Sequence, residues 1–219
     1  MSIEKNLQNI KQQIPPHVQL VAVSKTKPVE ALREAYQAGQ RIFGENKIQE
    51  MTQKWEQLPK DIEWHMIGHI QTNKVKYMAP YVSLVHGIDS VKVLQEINKQ
   101  AKKYQRIINC LLQIHIAEEE TKFGFDAEEV EQLITSNSLT DLEHVKIVGL
   151  MGMATFTEDK EQIKQEFTQL KKLFDHLSKT KKPNFDLQIL SMGMSNDYEI
   201  AIACGSTMIR IGSSIFGAR

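Results

Sequence analysis

Short runs in which apolar residues alternate with others recur down the chain, separated by longer stretches whose apolar residues return every three or four positions. The runs at 18–23, 41–43, 63–67, 83–88, 107–116, 144–149, 186–190 and 207–211 are rich in Val, Ile and Leu and predict eight strands. The stretches between them are long enough for parallel crossovers, so the pattern predicts a repeated strand–helix unit. PVEALREAYQAG carries Pro28 in its first turn and Gly39 at its end, the order that marks a helix start and stop. DAEEVEQLI offers Asp126 as an N-cap with Glu129 three residues on, the spacing of a capping box. Over 158–178, Ile163, Phe167, Leu170, Phe174 and Leu177 make one apolar stripe.

Eight such units favour an α/β fold of the closed (β/α)8 TIM-barrel type over an open doubly wound sheet, because closure leaves no unprotected strand edge. Arg219 follows the eighth strand too soon for a full outer helix. Residues 2–13, with Ile3, Leu7 and Ile10 on one side, predict an extra N-terminal helix that covers this gap. No linker or low-complexity segment interrupts the alternation, so a single domain over 1–219 is expected.

Composition narrows the function classes. The 27 basic and 27 acidic residues cancel, which argues against the positive footprint of a nucleic-acid binder. MSIEKNLQNIKQQIPP has no apolar leader core, and no run approaches a membrane span, so a cytoplasmic protein without membrane contact is expected. Cys110 and Cys204 lack a CxxC partner and read as buried small apolar groups. His65 and His69 are separated by Gly68 with no third ligand in register, so no metal is expected. His69 is placed at the barrel mouth without a role, and His86 and His115 in the strands or at the rim.

The chemistry concentrates at predicted strand ends. Lys25 follows the run Val21, Ala22, Val23, Ser24, which puts it at the C-terminal mouth of the first strand, where barrel sites are built. It is either a surface lysine or an amine for covalent aldehyde capture. Lys27 carries the same chemistry but falls on the loop leading into the Pro28 helix. SMGMSN after strand seven and RIGSS after strand eight place Ser191, Ser195, Gly212 and Ser213 where barrels hold phosphate. Ser195 also has the position of a helix cap. Arg210, alternating with Met208 and Gly212, points into the mouth or pairs with a structural carboxylate. Facing a pyridine nitrogen, its charge would oppose protonation there and weaken a cofactor as an electron sink. Asn46 either hydrogen-bonds a cofactor oxygen or caps the helix after strand two. Lys122, after strand five, is a candidate secondary contact. An amine and an anion cradle at one mouth point to pyridoxal 5'-phosphate.

Taken together, VAVSKTKP, GENKIQE, WHMIGHIQTNK, HGIDS, ETKFG, GLMGMAT and the block at 190–217 resemble the pyridoxal phosphate homeostasis protein family, single-domain members of the alanine-racemase-like barrel group. The resemblance covers nearly the whole chain. It implies pyridoxal 5'-phosphate held as an internal aldimine on Lys25, phosphate contacts at Ser191, Ser195, Gly212 and Ser213, Arg210 near the pyridine nitrogen and Asn46 lining the pocket. It implies a role in vitamin B6 homeostasis without enzymatic turnover, with transfer to cofactor-requiring apoenzymes as partners. Two enzyme readings compete. One is an amino-acid racemase, which needs a proton donor on each face; the sequence shows no acid/base opposite Lys25 and no added β-rich domain. The other is a phosphorylated-carbonyl enzyme using Lys25 on its substrate.

Overall fold

The computed structural model describes residues 2–118, 123–136 and 139–217. Within them eight parallel strands close into a barrel in chain order: β1 (Gln19–Val23), β2 (Ile42–Glu45), β3 (Glu63–Met66), β4 (Leu84–Ile88), β5 (Ile108–Ile114), β6 (Val145–Gly152), β7 (Phe185–Ser191) and β8 (Met208–Ile211). β1 pairs with both β2 and β8, and the register Val21↔Arg210 sets these two residues side by side. Every predicted strand is present, with ends displaced by at most three residues.

Around the barrel run α1 (Ile3–Gln13), α2 (Val29–Gln37), α3 (Ile48–Gln57), α4 (Val75–Met78), α5 (Val91–Lys103), α6 (Ala127–Thr135), α7 (Lys160–Leu177), α8 (Tyr198–Ala203) and α9 (Ser213–Phe216). The capping box on α6 forms as the sequence predicts: the Glu129 amide donates to the Asp126 side chain, and the Asp126 amide to the Glu129 side chain. Pro28 stands one position earlier than predicted, as the N-cap of α2, and Gly39 ends that helix region with a positive φ of 86°. The eighth helix is the single turn α9, and α1 covers the gap beside it, its Asn6 Nδ2 donating to Ile215 O at 2.9 Å. Leu7 and Ile10 of α1 are buried, the face that the 2–13 pattern assigned inward.

Strand alternation sorts side chains between two cores. Leu20 and Ala22 face the helices in the larger core, together with Phe43, Trp64 and Phe167. Val21 faces the barrel interior, where Leu84, Leu111, Val148, Met151 and Met208 form a separate apolar cluster. Removing a large side chain such as Phe43 from the outer core would cost about 3–5 kcal/mol. Two cysteine expectations part here: Cys110 is buried, and burial pushes its thiol well above the usual range, whereas Cys204 is only half-buried at the end of α8. No helix among the described residues is long and apolar enough to cross a membrane.

Candidate functional site

The inward sequence Val21, Val23, Lys25 continues past the end of β1, so Lys25 leaves the barrel on its C-terminal side, above the inner apolar cluster. There it lines a cavity of about 420 Å³ together with Val23, Asn46, Ile67, His69, Gln113, Met153, Ser195, Arg210, Gly212 and Ser213. That volume falls within the roughly 300–1,000 Å³ of small-molecule sites. Six of the seven site residues expected from the sequence therefore meet in one cavity. Ser191 does not line it. Its side chain is fully buried one layer below, where its hydroxyl accepts from Arg210 Nη1 at 2.6 Å and lies 3.2 Å from His86 Nδ1.

Arg210 is held by neutral acceptors and not by the structural carboxylate that the sequence left open. Nη1 also donates to Ser191 O at 2.9 Å and Nη2 to Gly152 O at 3.1 Å. Burial lowers the guanidinium to about 10, against the pull of Asp197, so it stays a cation at neutral pH. Behind Ser191, His86 Nε2 stands 3.1 Å from His65 Nδ1. Burial holds His65 down at about 3 and His86 well below its usual range, the latter with further push from His65 and Arg210. Both imidazoles are neutral, and a chain of polar contacts runs from the cavity through Arg210, Ser191 and His86 to His65.

The loops after β7 and β8 form the opposite wall. Gly212 N donates to Ser195 Oγ at 3.4 Å, which brings both residues to one point of the cavity. Ser195 does not cap α8; Asp197 holds that position and accepts from Met194 N at 2.5 Å, shaping the loop that carries Ser195. Ser213 opens the single turn α9, whose first amides have no partner within the helix. Asn46 is not a cap either, since Lys47 occupies the N-cap of α3. Gly68 keeps Asn46 in place by close approach: a methyl there would lie 2.5 Å from Asn46 O.

Sequence reasoning gave no role to several residues that shape this cavity. His69 lines it with Nδ1 3.0 Å from Asp89 Oδ2 and its ring stacked on Phe123 at 4.6 Å. Gln113, on the inward face of β5 two residues after Leu111, donates to Phe123 O at 2.7 Å. Beneath Lys25, Lys54 Nζ reaches Ser24 O, Glu45 Oε1 and Glu50 Oε1, each at 2.7 Å. Burial raises the Glu45 carboxyl above the usual carboxylate range despite Lys54 and Ser24. Lys122 lies outside the described residues. Among the described residues no three His, Cys, Asp or Glu side chains cluster as a metal site.

The family model for the N-terminal domain of alanine racemase matches residues 1–219. The pyridoxal phosphate homeostasis protein of Pasteurella multocida is 41% identical over 232 residues, covering 100% of this chain and 98% of the relative. The chain belongs to the pyridoxal phosphate homeostasis protein family. The Escherichia coli K12 member is 38% identical over 209 residues, covering 94% of this chain and 87% of its own length. Among solved structures, Synechococcus elongatus PipY with PLP bound superposes with a TM-score of 0.89 at 34% identity, covering 99% of this chain and 100% of that one. Alanine racemase from Clostridium difficile shares the fold, with a TM-score of 0.78 at 16% identity, over 57% of its length.

Proposed function

We propose that the chain binds pyridoxal 5'-phosphate and serves its homeostasis in the cytoplasm, as one unit over 1–219. The observation that carries the reading is the meeting of the Lys25 amine with the Ser195, Gly212 and Ser213 cradle on one cavity. The residues fit the ligand by their chemistry. Hydroxyls and backbone amides suit a phosphate, a lysine at the strand end suits an aldehyde, and a buried cation at Arg210 suits an unprotonated ring nitrogen. When bound, the group supplies a reactive aldehyde. Lys25 captures that carbonyl, the β7 and β8 loops orient the phosphate, Asn46 contacts a ring substituent, and Ile67 and Met153 exclude water from its faces.

The arrangement serves carriage better than turnover. A cation opposite the ring nitrogen opposes protonation there and so weakens the ring as an electron sink for a substrate carbanion, which amino-acid racemisation passes through. Partners are then cofactor-requiring apoenzymes that receive the aldehyde, with no nucleic acid and no membrane involved. Loaded protein is mixed with an apo-aminotransferase, and in parallel with L-alanine in D2O. Recovery of aminotransferase activity without α-proton exchange is the expected result; exchange at enzymatic rates would make the racemase reading the correct one.

A further inference from the structure

Lys25 lies between two residues that are both held by hydrogen bonds to a Lys54, Glu45 and Glu50 cluster. Ser24 is buried; its carbonyl accepts from Lys54 Nζ at 2.7 Å and its hydroxyl donates to Glu45 Oε1 at 2.6 Å. On the other side, the Thr26 amide donates to Glu50 Oε1 at 2.6 Å. Thr26 has φ of 64°, a left-handed conformation that a β-branched residue rarely adopts and that its surroundings must hold. One ammonium links these contacts, because Lys54 also bonds Glu45 Oε1 and Glu50 Oε1 at 2.7 Å each. The Lys54 side chain is 6% exposed and that of Glu45 0%, and Glu45 Oε2 is buried without a hydrogen-bond partner. A buried carboxylate with a spare oxygen is a costly way to stabilise a barrel, since an apolar replacement does as well or better. The cluster's contacts instead converge on the two residues flanking Lys25.

From this geometry we infer that Lys54, with Glu45 and Glu50, is a positioning brace that aims the Lys25 amine, an inference that rests on the proposed capture of an aldehyde by Lys25. Lys54 and Glu50 sit on α3, outside the barrel, and reach the β1–α2 loop through the Ser24 carbonyl and the Thr26 amide, while Glu45 at the end of β2 accepts from the Ser24 hydroxyl. The Lys27 amide also donates to Ser24 O at 3.1 Å, closing the turn in which Thr26 is left-handed; loss of the brace removes the side-chain hold on both residues flanking Lys25 and lets the amine leave the approach line of the carbonyl. The phosphate wall, carried by the β7 and β8 loops, takes no part in it.

The test compares two probes of nearly the same shape. Pyridoxal 5'-phosphate carries the aldehyde, whereas pyridoxine 5'-phosphate carries an alcohol there and binds without capture. The rate of borohydride-trapped adduct at Lys25 and the pyridoxine 5'-phosphate Kd are measured for the native chain, Lys54→Met, Glu50→Ala and Glu50→Gln. Lys54→Met and Glu50→Ala are expected to slow capture about tenfold or more, as misaimed reacting groups do, while the Kd changes less than about twofold. Glu50→Gln keeps an oxygen for the Thr26 amide and restores most of the rate. Should Lys54→Met fail to fold, Glu50→Ala decides alone, because the Glu50 side chain is 24% exposed and closer to the surface. Native capture in Glu50→Ala overturns the brace alone, as does a parallel fall of rate and affinity. A native chain that yields no adduct overturns the capture reading and the brace with it.

Discussion

Behind Lys25 the supporting side chains are ions, Lys54, Glu45 and Glu50; behind Arg210 they are neutral, the Ser191 hydroxyl, the carbonyls of Ser191 and Gly152, and the imidazoles of His86 and His65. The difference follows from what each layer supports. An amine that must meet a carbonyl needs its backbone fixed on both sides, and charge-assisted bonds to a carbonyl and an amide do that at short range. A buried guanidinium already carries its charge, so its neighbours need only accept hydrogen bonds. A second cation beside it would be repelled, and burial together with Arg210 keeps His86 unprotonated.

The largest break in this comparison comes from the lysine itself. Lys25→Ala should abolish the trapped adduct completely while leaving the pyridoxine 5'-phosphate Kd within about threefold, since the proposed phosphate cradle lies on the other wall; calorimetric titration reads the affinity. Next is Arg210→Leu, which strands three buried acceptors and should lower stability by about 3 kcal/mol in urea unfolding. Acidification separates the two layers without a mutation. His65 and His86 are neutral when folded and titrate near 6.5 when unfolded, so between pH 6.5 and His65's folded value of about 3 the unfolded chain binds more protons. Stability present above pH 6.5 is then lost as pH falls, by up to about 1.4 kcal/mol per pH unit for each histidine. Urea midpoints at pH 7.5 and 5.0 should show that loss, and His86→Gln should reduce it. The smallest effect belongs to the opposite wall. A methyl at Gly212 would lie 3.1 Å from Val23 O and 3.3 Å from Val23 Cβ, so Gly212→Ala should weaken pyridoxal 5'-phosphate binding about tenfold. Binding of unphosphorylated pyridoxal should change far less.

The contrast also explains what could be read from the chain. Strand alternation and helix caps are local, so the eight strands, the α6 capping box and the Lys25 position were legible from spacing alone. Ser195, Gly212 and Ser213 were legible because the β7 and β8 loops each present their groups within a few residues. Ser191 was placed one layer too high: it ends β7, and strand alternation fixed its inward direction but not its depth against Arg210. The brace was not legible, since Lys54 lies 30 positions from Ser24 and its burial beside Ile48 and Met51 depends on contacts that no local pattern encodes. The link between His86 and Ser191 spans 105 positions and depends on barrel closure, which no local pattern encodes.

Covalent capture at Lys25 is the claim on which the rest stands. The direct measurement is the absorbance of the chain reconstituted with pyridoxal 5'-phosphate, before and after borohydride reduction, followed by peptide mass mapping. A violet-region band that disappears on reduction, leaving a pyridoxyl adduct on the peptide containing Lys25, is the predicted result. No band, or an adduct confined to Lys27 or Lys122, would contradict it.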